Sequence, residues 1–455
     1  MKMKLSPRTR LTALAACAVF ILSTLSGCAE EPPESTATPA TTPDGFQAVT
    51  AVYPGPTAEK MNSQEFIESD EHWDWWDAYR AKADASASLQ AGMEDYYKSL
   101  MARLLPSENE NTVCSPLNTY IAFAMLAEVT DGNSRKQILD MLGVSGIDAL
   151  RSNIKTLWEG NYADTPIVKS LLANSLWLKN SVSYNSDTLS RLASDYYASS
   201  VSGEPGSAAM DEALQKWTDD NTGGLLKEHT RGMKLNPETV LALVSTIYYK
   251  AEWTDHFNKN ATTKETFHGV AGDTEVDMMH LTDSLGVFTT DTFTSVGLSL
   301  LDSGSMYFYL PKEGTDVSAL ASDPDLLTAT RWSEDPRFSF PLVNLSVPKF
   351  SVSAKTDLLD AIASMGVTDV LDPSVSDFSP LTEEVPEIFL SQAEHAALVE
   401  VDEDGVTGAA YTVLAMAAGA ALIEDEIDFT LDRPFLFIIT GRDGSVLFSG
   451  VVNNI

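Results

Sequence analysis

Basic residues are scarce in this chain of 455 residues. Lysine and arginine together number 30 against 65 aspartates and glutamates, so the formal net charge is −35 at pH 7. Such a surface repels the phosphates of nucleic acids and the headgroups of anionic lipids. This composition argues against binding to DNA, RNA or anionic membranes through a basic patch, and it favours neutral or basic partners.

Catalytic signatures are also missing. The chain contains no G-x-S-x-G nucleophile elbow and no H-E-x-x-H metal motif. Its histidines are scattered without close pairing, which disfavours a metal site: His72, His229, His256, His268, His280 and His395. The segment "EVDEDG" begins like a calcium loop, but Tyr411 stands where the last acidic ligand is required. These absences predict a protein that is not an enzyme and has no catalytic residues, bound metal or cofactor.

Cysteine is rare as well, and its positions bear on the N-terminal segment. A basic stretch, "MKMKLSPRTR", and an apolar stretch, "LTALAACAVFILSTL", are typical of an export signal. Small residues then precede Cys28, and this order resembles a bacterial lipoprotein signal. The resemblance implies that residues 1–27 are removed and that Cys28 carries lipid; an ordinary secretory signal cut nearby is the alternative. Cys17 would leave with the signal, so Cys114 stands alone and no intramolecular disulfide is expected.

The rest of the chain divides into a tether and one globular domain. Residues 28–83 begin with a Pro-, Thr- and Ser-rich stretch typical of a flexible tether. They also contain Trp73, Trp75 and Trp76, whose expected role is to pack on the domain. From residue 84 to 455, helical patterns dominate the first half and strand patterns the second, without βαβ alternation. This arrangement predicts an α+β fold with mixed or antiparallel sheets.

Several segments of the domain have clear patterns. "SPLNTYIAFAMLAEV" is nearly all apolar and predicts a buried helix, and the adjoining Cys114 is expected to be a buried structural thiol. "VLALVSTIYYKAEW" predicts a central strand of a large sheet. The chain closes with "PFLFIIT", a turn at residues 441–444 and "SVLFSGVVN", which predicts a hairpin.

One uncharged run, residues 405–423, lies between two acidic flanks. It is a poor membrane helix because Ala, Gly and Thr dominate it, and its glycines also weaken a buried helix. A long loop of this kind is usually functional. In an extended conformation one face is uncharged and mostly small: Val406, Gly408, Ala410, Thr412 and Leu414. That face could enter a sheet beside the preceding predicted strand, "AALVEV".

Across residues 84–455, ordered motifs resemble the serpin family of serine protease inhibitors. The resemblance is carried by "NTVCSPLNTYIAFAMLAEVTDGNSRKQILDMLG", "ANSLWLK", "VSTIYYKAEWTDHF", "VNLSVPKFSVS", "AEHAALVEVDEDGVTGAA" and "DRPFLFIITGRDGSVLFSGVVN". It implies a fold of three β-sheets with eight or nine helices and an exposed reactive-centre loop. It also implies suicide-substrate inhibition, in which an attacking protease is trapped as an acyl-enzyme when the cleaved loop inserts into the main sheet.

The resemblance assigns roles to residues of the loop. Glu403, Asp404 and Gly405 would begin its hinge, and Val406 would be the first residue to enter the sheet. The segment that follows has small or uncharged side chains, as the family requires: Thr407, Gly408, Ala409 and Ala410.

Other residues would control entry of the loop. Trp253 would lie beneath the top of the sheet, and Ser115 and His395 would form a gate through which the central strands part. Asn118 replaces a usual gate serine. Ser245 replaces a usual asparagine that would bond His395, so the hydrogen bonding of the gate is altered.

Two counts place the reactive bond differently. Counting forward from Gly405 by the family's usual hinge length gives Gly419–Ala420, whereas counting back from Pro434 ends near Ile423. The hinge count is preferred because insertion fixes that length. The neighbouring residues are all small: Ala417, Ala418, Ala420 and Ala421. They favour an elastase-like or subtilisin-like serine protease as the target, since the loop has no Lys or Arg for a trypsin-like enzyme.

The expected protein is a monomer, exported and lipid-anchored to a bacterial membrane, facing the cell exterior or periplasm. Its partners would be serine proteases that prefer small residues, with membrane contact only through the N-terminal lipid and no nucleic acid. One alternative is a non-inhibitory serpin that acts as a binding or structural surface lipoprotein. Another is an unrelated surface-binding lipoprotein, which the ordered motifs disfavour. The uncharged hinge favours an inhibitor, because it can enter a sheet without desolvating a charge.

Overall fold

The structure is a computed structural model, and it describes residues 39–41, 46–51, 53, 66, 69–165, 167–221, 232–331, 335–385, 387–406 and 425–455. Its α-helices are α1 (Asp70–Ala87), α2 (Gln90–Leu104), α3 (Pro116–Glu128), α4 (Gly132–Leu142), α5 (Ile147–Asn161), α6 (Ser186–Asp195), α7 (Ala208–Asn221) and α8 (Leu359–Ser364). Within these described ranges, no helix is long and apolar enough to cross a membrane.

The strands form three sheets, which confirms the predicted α+β fold. The main sheet contains β1 (Pro39–Thr41), β2 (Gln47–Val49), β4 (Ala163–Asp164), β5 (Lys169–Lys179), β6 (Ala198–Gly203), β7 (Leu241–Glu252), β15 (Phe350–Asp357), β16 (Ala393–Val401) and β17 (Gly405–Val406). The second sheet contains β3 (Thr112–Cys114), β10 (Gly286–Thr289), β11 (Phe293–Ser299), β12 (Ser305–Pro311), β13 (Phe338–Ser339), β19 (Phe435–Thr440) and β20 (Val446–Val452). The third sheet contains β8 (Thr263–Gly269), β9 (Gly272–Ser284), β14 (Leu342–Pro348) and β18 (Glu426–Thr430).

The main sheet is split between its two central strands, β7 and β16. These strands pair directly at one end and are separated by β17 at the other. The strand order of the sheet is β1-β2-β6-β5-β7-β17-β16-β15, and β4 pairs with β5. The parallel strands β7 and β16 pair at these positions: Leu243 with Ala393, Val244 with Glu394, and Ser245 with His395. Further along both strands, the two-residue strand β17 lies between them and runs antiparallel to each.

Apolar content explains the central elements. Strand β7 is buried at nearly every position, as expected for a central strand covered on both faces. Helix α3 begins with Pro116, whose missing N–H costs nothing at a helix start, and every residue of α3 is buried. The thiol of Cys114 is fully buried before this helix, and burial raises its pKa to about 12. A thiol that stays protonated at neutral pH fits the expected structural role.

The C-terminal hairpin also has the predicted form. Strands β19 and β20 are antiparallel and buried along their whole length. Gly441 donates its N–H to the carbonyl oxygen of Ser445 at 2.8 Å, which closes the turn. Gly444 has a φ of 82°, a left-handed conformation that favours glycine.

Described parts of the segment before residue 84 pack on the domain. Strand β2 pairs with β6 at the edge of the main sheet, and α1 packs against α5. Trp76 is buried and Trp75 packs beside it, whereas Trp73 is 62% exposed. The expected boundary between residues 83 and 84 lies inside helix α1, so the tether and the domain share this helix.

Candidate functional site

The start of the uncharged run already lies in the main sheet. Val406 pairs with Ala251 of β7 on one side and with Val401 of β16 on the other, and its side chain is 1% exposed. Gly405 pairs with Glu252. The first residue expected to insert is therefore a buried sheet residue in this structure.

A tight turn sends the chain from β16 back into the sheet. The side-chain Oδ1 of Asp402 accepts hydrogen bonds from the N–H groups of Asp404 at 2.9 Å and Gly405 at 3.2 Å. The N–H of Asp402 donates to the carbonyl oxygen of Gly405 at 3.1 Å. A Cβ at Gly405 would lie 2.2 Å from the carbonyl oxygen of Ala251, so only glycine allows this close approach to β7.

Trp253 holds the turn from below. Its indole Nε1–H donates to the carbonyl oxygen of Asp402 at 2.9 Å, and its backbone N–H donates to that of Asp404 at 3.0 Å. The backbone N–H of Phe257 donates to the carbonyl oxygen of Glu403 at 3.2 Å. Trp253 thus lies where the uncharged run enters the sheet.

Two ion pairs tether the acidic residues of the turn. Glu403 is buried and pairs with Lys349 at 2.8 Å, and the hydroxyl of Thr262 donates to its carboxylate at 2.9 Å. Asp404 pairs with Lys259 at 2.7 Å. Burial alone would raise the pKa of the Glu403 carboxyl, but the Lys349 ammonium and the Thr262 hydroxyl outweigh it and hold that pKa below its usual range.

The predicted gate residues, Ser115 and His395, lie at the end of the sheet where β7 and β16 pair directly. The backbone N–H of Ser115 donates to Nε2 of His395 at 2.9 Å, so His395 is a neutral acceptor there. Burial lowers the pKa of His395 to about 4. The hydroxyl of Ser115 and Nδ1 of His395 find no hydrogen-bond partner among the described residues. One backbone hydrogen bond is thus the described polar link between these two gate residues.

The substituted gate residues follow a different pattern from the one that the resemblance implies. Ser245 faces His395 in the sheet register, but its hydroxyl donates to Oδ1 of Asn174 at 2.7 Å. It also lies 3.3 Å from the carbonyl oxygen of Asn118, whose side-chain amide is buried without a described partner. Asn174 is a residue that the sequence reasoning missed. Its available signal was an asparagine between the two apolar stretches of strand β5.

Between the turn and the gate, the two central strands are not joined to each other. In the described pairing, residues 246–250 of β7 and 396–400 of β16 lie between the rung at Val406 and the rung at Ser245. The direction of β17 at Val406 leads into this interval, because β17 is antiparallel to both strands. The geometry therefore offers a place for one more strand.

Several predicted site residues lie outside the described part of the chain. They are Cys28, Thr407, Gly408, Ala409, Ala410, Ala417, Ala418, Gly419, Ala420 and Ala421. The described residues hold no group of three or more His, Cys, Asp or Glu side chains placed to bind a metal ion.

Known proteins resemble this chain over its globular part. A family model described as Serpin (serine protease inhibitor) matches residues 93–455. Serpin-ZX of Arabidopsis thaliana is 27% identical over 365 residues, which cover 76% of this chain and 92% of the relative. The leukocyte elastase inhibitor of Homo sapiens is 29% identical over 360 residues, which cover 76% of this chain and 94% of the relative. The native-state crystal structure of tengpin, a thermophilic serpin, matches with a TM-score of 0.71 at 22% identity, covering 80% of this chain and 93% of that one.

Proposed function

The chain belongs to the serpin family, and from this premise we propose that it is a suicide-substrate inhibitor of serine endopeptidases. The target cleaves the loop that follows Val406 and forms an acyl-enzyme with it. The freed loop then inserts between β7 and β16 as a new strand and carries the protease with it. Distortion of the protease active site before deacylation leaves the complex trapped.

The observation that supports this proposal is the position of Val406 between β7 and β16. Continuing the register of β17 places Gly408 opposite Tyr249 and Val399, and Ala410 opposite Ile247 and Ala397. These partners are buried on the same face as Val406. The uncharged residues at alternate positions of the loop would therefore enter the core side of the sheet.

The other face of the inserted strand would be less buried and would meet charged side chains. In the same register, an inserted Thr407 would lie opposite Lys250 and Glu400, which are both half-buried. Each inserted residue would exchange backbone hydrogen bonds with water for bonds to the sheet, at about 0.5–1.5 kcal/mol net per bond. Insertion beyond Tyr411 would bring Thr412 to Ser245 and His395, so the gate would have to open there.

The expected target is a protease with a shallow primary pocket. The loop around the preferred reactive bond, Gly419–Ala420, contains small residues and no Lys or Arg. The name of the human relative, leukocyte elastase inhibitor, agrees with this elastase-like or subtilisin-like preference.

Incubation with an elastase or a subtilisin tests the proposal. We expect a covalent complex that survives a denaturing gel, with the loop cleaved near Gly419 according to mass spectrometry. The same protease pretreated with an active-site serine reagent is the control and should give no complex. Cleavage without any complex, across several proteases of both classes, would overturn the inhibitory function.

A pair of hinge variants tests the assigned register. Val406→Arg should turn the inhibitor into a substrate, because a buried unpaired charge costs several kcal/mol. Thr407→Arg places the same charge one residue later, beside Glu400, and should still form the complex. Equal trapping by both variants would contradict the inward position of Val406.

We further propose that the inhibitor is exported and anchored through lipid on Cys28, with the domain displayed outside the membrane. The support is the order of basic stretch, apolar stretch, small residues and cysteine at the N-terminus. Metabolic labelling with a fatty acid should mark the wild-type chain but not Cys28→Ala, and the variant should leave the membrane fraction. Unlabelled wild-type protein would contradict the lipid anchor.

A further inference from the structure

Helix α1 lies before the region that the family model matches. Its middle and its C-terminal end contact different parts of the molecule. It spans Asp70–Ala87, which corresponds to a rod about 27 Å long at 1.5 Å per residue. A helix of this length transmits a displacement at one end to the other. Its contacts therefore determine which parts of the fold can move apart.

The middle of α1 packs on the β7 side of the split sheet. Trp76 and Tyr79 are buried in a cluster with Ala163 and Val168. Trp75 stacks on Tyr79 with ring centroids 5.4 Å apart and an angle of 4° between the planes. Ala163 belongs to β4 and Val168 directly precedes β5, which pairs along most of β7.

The C-terminal end of α1 is hydrogen-bonded to the C-terminal hairpin. The hydroxyl of Ser86, fully buried, donates to Oδ2 of Asp443 in the turn between β19 and β20. Asp443 is itself buried and also accepts hydrogen bonds from Gln90 at 3.2 Å, Asn161 at 2.8 Å and the Ser445 hydroxyl at 2.7 Å. A carboxylate with this many donors fixes the position of Ser86.

The hairpin reaches the β16 side of the split, although Phe448 of β20 also contacts Tyr249 of β7 with ring centroids 6.3 Å apart. Strand β20 pairs with β3, and β3 leads directly into Ser115. The N–H of Ser115 donates to Nε2 of His395 in β16. The middle of α1 is thus connected to the β7 side, and its C-terminal end is connected, through β20 and β3, to β16.

Helices α1 and α5 contact each other through very small residues near the C-terminal end of α1. A Cβ at Gly160 of α5 would lie 2.7 Å from the Cβ of Ser86 and 3.1 Å from the carbonyl oxygen of Lys82. The side chain of Ser86 reaches Asp443 only while α1 lies this close. Any larger residue at position 160 would push α1 away.

We propose that α1 is a clamp that slows entry of the intact loop by holding the β7 and β16 sides of the main sheet together. This inference depends on the proposed function, because insertion requires those sides to separate. Separation would have to break either the Trp76–Tyr79 cluster or the bond between Ser86 and Asp443. Both contacts would then raise the barrier to insertion without touching the loop.

Peptide incorporation measures the clamp without any protease. The probe is a fluorescent synthetic peptide with the sequence of residues 406–417, and fluorescence anisotropy follows its entry into the uncleaved protein. Gly160→Ala should accept the peptide about tenfold faster than wild type, since overpacking displaces α1. Gly92→Ala is the matched control, because Gly92 also lies in a helix and a Cβ there meets nothing within 4 Å.

A second pair of variants guards against misfolding at Gly160. Trp76→Ala removes a buried anchor of α1, whereas Trp73→Ala makes the same change at an exposed position of that helix. Faster entry in Trp76→Ala but not in Trp73→Ala would support the clamp, and equal rates in all variants would overturn it. Entry into no variant would also overturn it, because no opening would exist to restrain. The proposed function is judged separately by the covalent complex with protease.

Discussion

At the scale of single residues, the predicted gate contains one buried imidazole, that of His395. His395 is buried in β16 and accepts a hydrogen bond from the N–H of Ser115, so its Nε2 must carry no proton. Ser245, the facing residue, bonds to Asn174 and leaves His395 without a second described partner. Among the residues that the structure describes, no carboxylate pairs with the ring to compensate a positive charge. Protonation of His395 is therefore costly, and burial lowers its pKa to about 4.

This low pKa predicts that acid weakens the fold. The unfolded chain binds a proton at His395 with a pKa of about 6.5, whereas the folded chain does so only at about 4. The stabilisation is therefore complete above pH 6.5 and is lost as the pH falls toward 4. Between pH 7 and 4, His395 should lower the free energy of unfolding by on the order of 3 kcal/mol.

Denaturant unfolding at a series of pH values measures this effect. His395→Gln should show a shallower loss of stability across that window than wild type. His268→Gln is the control, because His268 is exposed and pairs with exposed Asp273. Identical pH dependence of wild type and His395→Gln would contradict the role of this imidazole.

At the scale of elements, β17 is a very short strand that is held by its surroundings. Gly405 and Val406 pair on both sides, but the turn at Asp402 and the ion pairs Glu403–Lys349 and Asp404–Lys259 fix their approach. A two-residue strand has too little pairing of its own to define its place in a sheet. Its position thus depends on the close contact that Gly405 permits.

Replacement of Gly405 should release β17 from the sheet. In Gly405→Ala the new methyl group would meet the carbonyl oxygen of Ala251, so we expect Gly405 and Val406 to leave the interval between β7 and β16. Hydrogen exchange read by mass spectrometry should then rise in peptides that cover residues 249–253 and 399–406. Gly286→Ala is the matched control, since the nearest atom to a Cβ in strand β10 is 3.4 Å away. Unchanged protection in Gly405→Ala would show that β17 tolerates the methyl group.

At the scale of the whole molecule, the main sheet combines a closed end and an open interval. The three rungs from Leu243–Ala393 to Ser245–His395 join its two sides directly, and β17 separates them at the other end. Residues 246–250 and 396–400 together leave room for one strand in the described pairing. A sheet in this state gains backbone hydrogen bonds if a strand enters, so entry of a strand would lower the free energy of the fold.

Cleavage of the loop should therefore make the protein more stable. A nick within residues 407–424 frees the segment to insert, and the added pairing should raise the thermal midpoint by about 10 °C or more. Differential scanning calorimetry of intact and nicked protein checks this. Val406→Arg, nicked in the same way, should show little gain, and a lower midpoint in nicked wild type would contradict the stored stabilisation.

Local sequence pattern determined much of this protein. The all-apolar stretch predicted the buried helix α3, and the β-prone stretch predicted the central strand β7. These predictions succeeded because periodicity and apolar content act over neighbouring residues. The ordered family motifs implied the three-sheet fold, which the structure confirms, whereas the roles that they imply for Trp253, Ser115 and His395 stay predictions.

Only the tertiary structure decided which distant residues meet. The pairs Lys349–Glu403, Asn174–Ser245 and Ser86–Asp443 join segments far apart in the chain. A lone lysine, a polar residue in a strand and a serine near a helix end have the same local pattern whether or not they find such partners. The partners are selected when the sheets and helices pack, because burial then makes an unpaired polar group costly. For that reason the uncharged character of the run is visible in the sequence, whereas the contacts that hold Gly405 and Val406 in the sheet are decided by the fold.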